Sequence, residues 1–275
     1  MRLTNLLLGS HIVALVFGLI GMLVMVPNPG LWAWHPILVS IFQQSMRHAG
    51  AAHIVLGAAA MFAFGCAVLG IRRTAIFLVA SGALSLGCEL LGTGTGWPFG
   101  AYEYTDGLGY KVLGRVPYSI PLSWFYMGLA SYLLGSALVP RLGIVVGVGL
   151  LTVWDLVLDP AMAHESLPLR FWVWHQTGPY FGMPVVNFVG WFGTGLAFTS
   201  LSRWLWGSMP HIAGHQMRPP LAVYAVNVGF AMVLSASVGL WVPIALAATL
   251  GLVPVLFASR RGPVLGRFAP RPHGA

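Results

Sequence analysis

Charge is what this sequence has least of. Only 7% of its 275 residues are Asp, Glu, Lys or Arg, against 57% hydrophobic, and the mean hydropathy is +0.82. So few charges cannot cover a water-soluble domain of that size, which excludes a soluble globular fold and leaves an integral membrane protein. Cysteine is nearly absent too: Cys66 and Cys88 form no CxxC pair, so neither a zinc site nor a redox centre is indicated, and both read as core packing. The net charge of +8 comes from Arg residues scattered over short segments, a pattern that encodes membrane topology rather than nucleic-acid binding. Acidic membrane lipids are the expected counterpart, and no nucleic acid is expected as a partner.

What is present is a series of apolar stretches long enough to cross roughly 30 Å of hydrocarbon. They cover about 6–26, 51–70, 74–92, 118–139, 141–159, 184–206, 220–239 and 242–258. The expected fold is therefore all-α, a polytopic membrane helix bundle of about eight transmembrane helices within one integral membrane domain, 1–275. The first stretch is longer than a signal-peptide core and lacks a small-x-small cleavage site, so it is expected to remain as an anchor, with no soluble domain before or after the bundle. With alternating helices, Arg2, Arg72, Arg73, Arg141, Arg203, Arg218, Arg260, Arg261, Arg267 and Arg271 fall on one side, and Arg47, Lys111, Arg115 and Arg170 on the other. That bias of ten to four places the N-terminus in the cytoplasm of an inner-membrane protein, and an even helix count returns the C-terminus to the same side. A seven-helix chain, which results if the last two stretches merge across Gly239–Val242, would break that agreement.

On this topology all six acids, Glu89, Glu103, Asp106, Asp155, Asp159 and Glu165, lie in the outer half of the membrane or in two long outer loops, about 93–117 and 160–183. Those loops are rich in Gly and Pro, which favours structured loops that fold back on the helices. They share an echo, Thr95-Gly96-x-x-Phe99-Gly100 and Thr177-Gly178-x-x-Phe181-Gly182, too short to establish a repeat.

Glu89 ends an apolar run, where a carboxylate costs a few kcal/mol unless it is paired or protonated. It is either functional, an interfacial acid snorkelling to water, or part of a structural salt bridge to Arg47 or Arg115. Asp155 and Asp159 in "WDLVLDP" are four apart, on one helix face just before Pro160 is expected to end the helix. Two carboxyls that close in an apolar setting cannot both ionise easily, which yields a candidate general acid beside a candidate base; the alternative is polar glue between helices. The glycines of "GTGTGWPFG" are followed by no Gly-Lys-Ser/Thr, so a tight re-entrant loop accounts for them better than a phosphate site. Trp97, Phe99, Tyr102, Tyr104, Trp124, Trp154, Trp172, Trp174 and Tyr180 are either interfacial belt residues or the walls of a slot for a long apolar or polyene substrate, where aromatic faces can also stabilise a carbocation. The spacing of His48 with His53 and of His211 with His215 is that of di-iron histidine boxes, but the two pairs fall on opposite sides of the membrane and cannot share a metal. A single Asp-x-x-x-Asp on the outer side does not match the paired inner motifs of polyprenyl transferases.

Taken in order, "GTGTGWPFGAYEYTDGLG" after Glu89, "VPYSIPLSWFYMG" at 116–128, "WDLVLDPAM" at 154–162 and "FWVWHQTGPYFGMPVVNFVGWFGTG" at 171–195 resemble the carotenoid biosynthesis family of membrane hydratases, over about 80–195. The resemblance implies that this region is catalytic and adds water across the terminal double bond of an acyclic carotenoid, with Glu89, Asp155 and Asp159 as the catalytic carboxyls. It further implies that Trp97, Phe99, Tyr102, Tyr104, Trp124, Trp154, Trp174, Tyr180 and Asn187 contact the substrate. Such a hydration needs a strong, largely neutral acid in a dry pocket, then a water held for deprotonation by a second carboxylate, and it calls for no cofactor and no metal. An acid from the Asp pair with Glu89 orienting water is the favoured assignment. Two rivals stay open: a carotenoid cyclase, which also protonates a polyene but excludes water, and a non-catalytic carotenoid or lipid carrier. Other carotenoid pathway enzymes are the expected protein partners.

Overall fold

The structure is a computed structural model and describes residues 1–208, 210 and 212–260. His211, Arg261, Arg267 and Arg271 therefore lie outside the described residues. Helix α1 (Arg2–Ile20) runs on through a π-turn at Gly21–Met25. It is followed by α2 (Pro36–Val68), α3 (Ile71–Thr95), α4 (Ser119–Leu138), α5 (Gly143–Met162), α6 (Val185–Trp206) and α7 (Arg218–Ser237). The last rod is α8 (Trp241–Leu246), a π-turn at Ala247–Leu252 and α9 (Val253–Arg260) in succession, so the described residues form eight rods. Six helices are long and apolar enough to cross a membrane, which makes this a multi-pass membrane protein.

Helix α4 is not among those six, because Ser, Tyr and Trp dilute its hydropathy. Its position explains the composition. Every residue from Ser123 to Gly135 is buried, and α2, α3, α5 and α7 pack around it, so its solvent is protein rather than lipid. The tightest approach is to α5: a Cβ on Gly135 would stand 2.2 Å from the Gly147 nitrogen, and one on Gly147 would stand 2.6 Å from the Tyr132 Cα. Small residues at such a crossing let two helices meet backbone to backbone.

Three boundaries differ from the hydropathy reading. Helix α2 begins at Pro36 rather than near 51, with the His35 ring accepting from the Ile37 N–H. Gln43, Gln44 and Arg47 lower hydropathy but satisfy helical backbone bonds like any residue, so Arg47 and His48 sit on a helix and not in a loop. At 33 residues α2 is about 50 Å long and extends past the hydrocarbon. Helix α3 continues to Thr95, capped by Gly96 at φ +81°. Helix α5 continues through Pro160 to Met162 instead of ending before it. Proline leaves the carbonyl four residues earlier without its helical donor, and here the Tyr180 hydroxyl donates to Leu156 O at 3.2 Å in its place.

The two long loops meet at one end of the bundle. Strand β1 (Tyr102–Tyr104) pairs antiparallel with β4 (Trp172–Trp174), while β2 (Lys111–Val112) and β3 (Val116–Pro117) form a small hairpin. The echoed hexads are built differently: Gly96 caps a helix and Phe99 is buried, whereas Gly178 pairs with Gly182 across a turn and Phe181 is exposed.

The α4–α5 crossing yields a stability test. Gly147→Leu must push the Tyr132 backbone away and is expected to cost at least about 2 kcal/mol, whereas Gly149→Leu, with no atom within 4 Å of its Cβ position, should change little. Thermal unfolding of the two variants in detergent, compared with the wild type, measures the difference.

Candidate functional site

Glu89 lies on α3, more than a turn inside the end of the helix, and is only 3% exposed. Its carboxyl accepts from the Tyr102 hydroxyl, from the Tyr104 hydroxyl at 2.9 Å and from the Trp124 indole N–H at 3.0 Å. All three partners are neutral donors, so no bridge to Arg47 or Arg115 holds it. Among the described residues the acids that meet basic side chains are others: Asp106 with Lys111 at 2.9 Å and Glu103 with His175 at 3.7 Å.

The β1–β4 register places Tyr102 opposite Trp174 and Tyr104 opposite Trp172. Side chains alternate along a strand, so these four rings share one face, and that face is turned onto the bundle. Phe99 anchors the loop beneath them. Its ring is wedged between α3 and α6, where a Cβ on Gly92 would lie 2.9 Å from it and one on Gly190 2.5 Å from it. Glycine at both positions is what admits the ring.

Asp155 and Asp159 share one face of α5 and are 0% and 6% exposed. Their carboxyls interact with each other, and one side chain bridges them: Asn187 of α6 donates its amide N–H groups to Asp155 at 3.0 Å and to Asp159 at 2.8 Å. Glu89 thus has three donors to itself, while two aspartates share one amide. Three donors fit an ionised carboxylate, and two acids on one amide fit a shared proton.

Between the two acid sites lies a cavity of about 40 Å³. Glu89, Asp159 and Asn187 line it together with Phe99, Tyr102, Tyr104, Trp124, Trp154, Trp172 and Trp174, all named from the sequence, and with Ser123 and Trp191, which were not. Trp191 stacks on Trp124 at 4.0 Å and meets the Trp154 edge at 5.8 Å. Its position four residues after Asn187 was the available signal, since that spacing puts both on one helix face. Trp172 is brought in by strand register. Asp155 stands behind Asp159 through Asn187. Tyr180 is off the lining, holding Leu156 O, and Trp97 is 64% exposed and away from the cavity.

Burial and the Glu89 charge push the Tyr102 and Tyr104 phenols well above the usual range, so both remain hydrogen-bond donors. Tyr180 is pushed up to about 12, by burial first and by Asp155 second. Elsewhere His48 is exposed, His53 lines a separate cavity of about 270 Å³ between α1, α2 and α7, and His215 sits in the turn before α7. Among the described residues no three His, Cys, Asp or Glu side chains cluster as a metal site would require.

A family model described as "Carotenoid biosynthesis protein" matches residues 49–254. The bisanhydrobacterioruberin hydratase of Haloarcula japonica is 35% identical over 130 residues, which span 45% of this chain and 43% of that protein. No solved structure matches the chain.

Removing donors from either acid site should destabilise the fold. Asn187→Leu strands two buried carboxyls and Tyr104→Phe takes one donor from Glu89; each is expected to cost about 1–3 kcal/mol in detergent melts. The raised Tyr180 phenol favours the folded state fully below the ordinary tyrosine value of about 10. That contribution is lost as pH climbs toward about 12, so wild-type stability should fall more steeply across this range than that of Tyr180→Phe.

Proposed function

The chain belongs to the carotenoid biosynthesis protein family, and from that premise we propose that it is a carotenoid hydratase. It adds water to the terminal double bond of an acyclic carotenoid end of the lycopene or gamma-carotene type. The observation that carries this reading is the pair of unequal acid sites, Asp155–Asn187–Asp159 and Glu89, on an aromatic cavity with room for two or three waters. Asp159, which lines the cavity, delivers the proton shared with Asp155 to the alkene and leaves a tertiary cation. The stacked faces of Trp124 and Trp191 and the anionic Glu89 stabilise the positive charge as it develops. Water adds to the cation and loses a proton to the Asp155–Asp159 pair, which gives the tertiary alcohol and restores the acid.

The cavity is narrower than an isoprenoid end, so entry of the polyene has to widen it. The arginine bias supports cytoplasmic termini in an inner membrane, with the acid end of the bundle on the opposite side. The long apolar substrate reaches the site through the lipid, and neighbouring carotenoid pathway enzymes would be its source.

Expression in a lycopene-accumulating host, with mass spectra of the extracted pigments, tests the reading. The wild type is expected to yield a product one water heavier, and Asp155→Asn, Asp159→Asn and Glu89→Gln should each lower it by about a hundredfold or more. An isomer of unchanged mass would instead identify a cyclase. Unaltered lycopene, or full activity in all three variants, would overturn the carboxyl mechanism.

A further inference from the structure

The shielded indole N–H groups in this protein fall into two sets. Trp124 donates to Glu89 at 3.0 Å, Trp206 to Arg73 O at 2.9 Å and the partly buried Trp32 to Met25 O at 2.8 Å. Trp154, Trp172 and Trp174 do not: among the described residues no acceptor reaches their indole nitrogens, although all three nitrogens are shielded from solvent. These three residues line the same cavity, the one between Glu89 and Asp159. Three unmet donors on residues that line one small space are costly, at about 1–3 kcal/mol each, unless a polar molecule accepts from them.

We propose that Trp154, Trp172 and Trp174 are the water-positioning residues of this site. Each donates to the oxygen of a water in the cavity, and one of these waters captures the cation. The inference rests on the hydratase reading above. The cavity has the size for it, since about 40 Å³ accommodates two or three waters, taking about 10–15 Å³ for one, and a held water needs two to four polar partners. Donor chemistry fits as well. An indole N–H occupies one lone pair of the water, leaving the second to attack the cation and both water protons free to face a carboxylate. It has no lone pair with which to take the proton itself, so deprotonation stays with the acids.

The cation has two exits, and the tryptophans act on only one. Capture by water forms the C–O bond, and loss of a proton gives the alcohol. Without capture, the cation returns a proton from a neighbouring carbon and re-forms an alkene. In D2O the first route yields the hydrate; the second releases lycopene that has exchanged hydrogen for deuterium. Membranes from lycopene-accumulating cells carrying the wild type or the single variants Trp154→Phe, Trp172→Phe and Trp174→Phe would be incubated in D2O, and the ratio of exchanged lycopene to hydrate read by mass spectrometry.

The ratio is expected to rise by about tenfold in at least Trp154→Phe and Trp172→Phe, the effect of one lost hydrogen bond. A structural role would lower both products together and leave the ratio unmoved, and that result overturns the proposal. For any variant that accumulates poorly, site-specific replacement by the benzothienyl isostere of tryptophan keeps the ring shape and removes only the N–H. An unchanged ratio with the isostere overturns the proposal equally. A wild type that neither hydrates nor exchanges lycopene overturns the hydratase reading itself, a result distinct from either of these.

Discussion

A carboxylate set inside an apolar bundle needs donors, and how Glu89 obtains them governs the shape of this molecule. Its three partners come from two places: Trp124 on the buried helix α4, and Tyr102 and Tyr104 on a strand that belongs to no helix. Two of the three donors therefore arrive only if the loop after α3 folds back over the end of the bundle. Strand pairing then fixes what comes with them, because the register that presents Tyr102 and Tyr104 inward also presents Trp174 and Trp172. The cavity roof follows from satisfying one buried acid. Gly92 and Gly190 make that return path open by admitting Phe99 between α3 and α6.

The second acid site is solved with fewer donors, and the difference separates the two chemically. One Asn187 amide serves both Asp155 and Asp159, whereas Glu89 has three donors of its own. The helix carrying the aspartates is held in register by contacts outside the cavity: the Gly135–Gly147 crossing with α4, the Tyr180 hydroxyl on Leu156 O and the Ser235 hydroxyl on Val157 O at 2.7 Å. Pro160 is accommodated within α5 because a tyrosine from the loop replaces the bond it removes. The loop that supplies this donor also supplies Trp172 and Trp174.

Helix α4 ties the site to the rest of the bundle. Trp124 faces the acid cavity, and Tyr126 reaches the other way, donating to the Asn227 side chain of α7 at 2.8 Å. Asn227 in turn bonds the buried His11 of α1 at 3.0 Å, and His11 meets the His53 carbonyl of α2 at 2.7 Å. In a medium without water such polar side chains find partners in one another, and the resulting chain pins α1, α2, α4 and α7 together. The histidines that carry motif-like spacing in the sequence are thus divided: His53 takes part in this scaffold, while His48 is exposed on the flank of α2.

Hydropathy alone determined that this chain is a membrane helix bundle, because a long apolar run has no other way to bury its surface or satisfy its backbone. The same local reasoning located Glu89, Asp155 and Asp159 as costly acids and placed the two aspartates on one face, since helical periodicity is a property of adjacent residues. It misplaced the ends of α2 and α5, where polar residues or proline changed the hydropathy signal while helical bonding continued. It also had no means of telling the exposed Trp97 from the buried Phe99 two residues later. Only the tertiary structure decided which donors meet which acid: Asn187 and Asp159, or Tyr104 and Glu89, are joined by contacts between different elements. Hydrogen bonds reach about 3 Å, so such partnerships depend on helix crossing, strand register and glycine-sized gaps that no local pattern encodes.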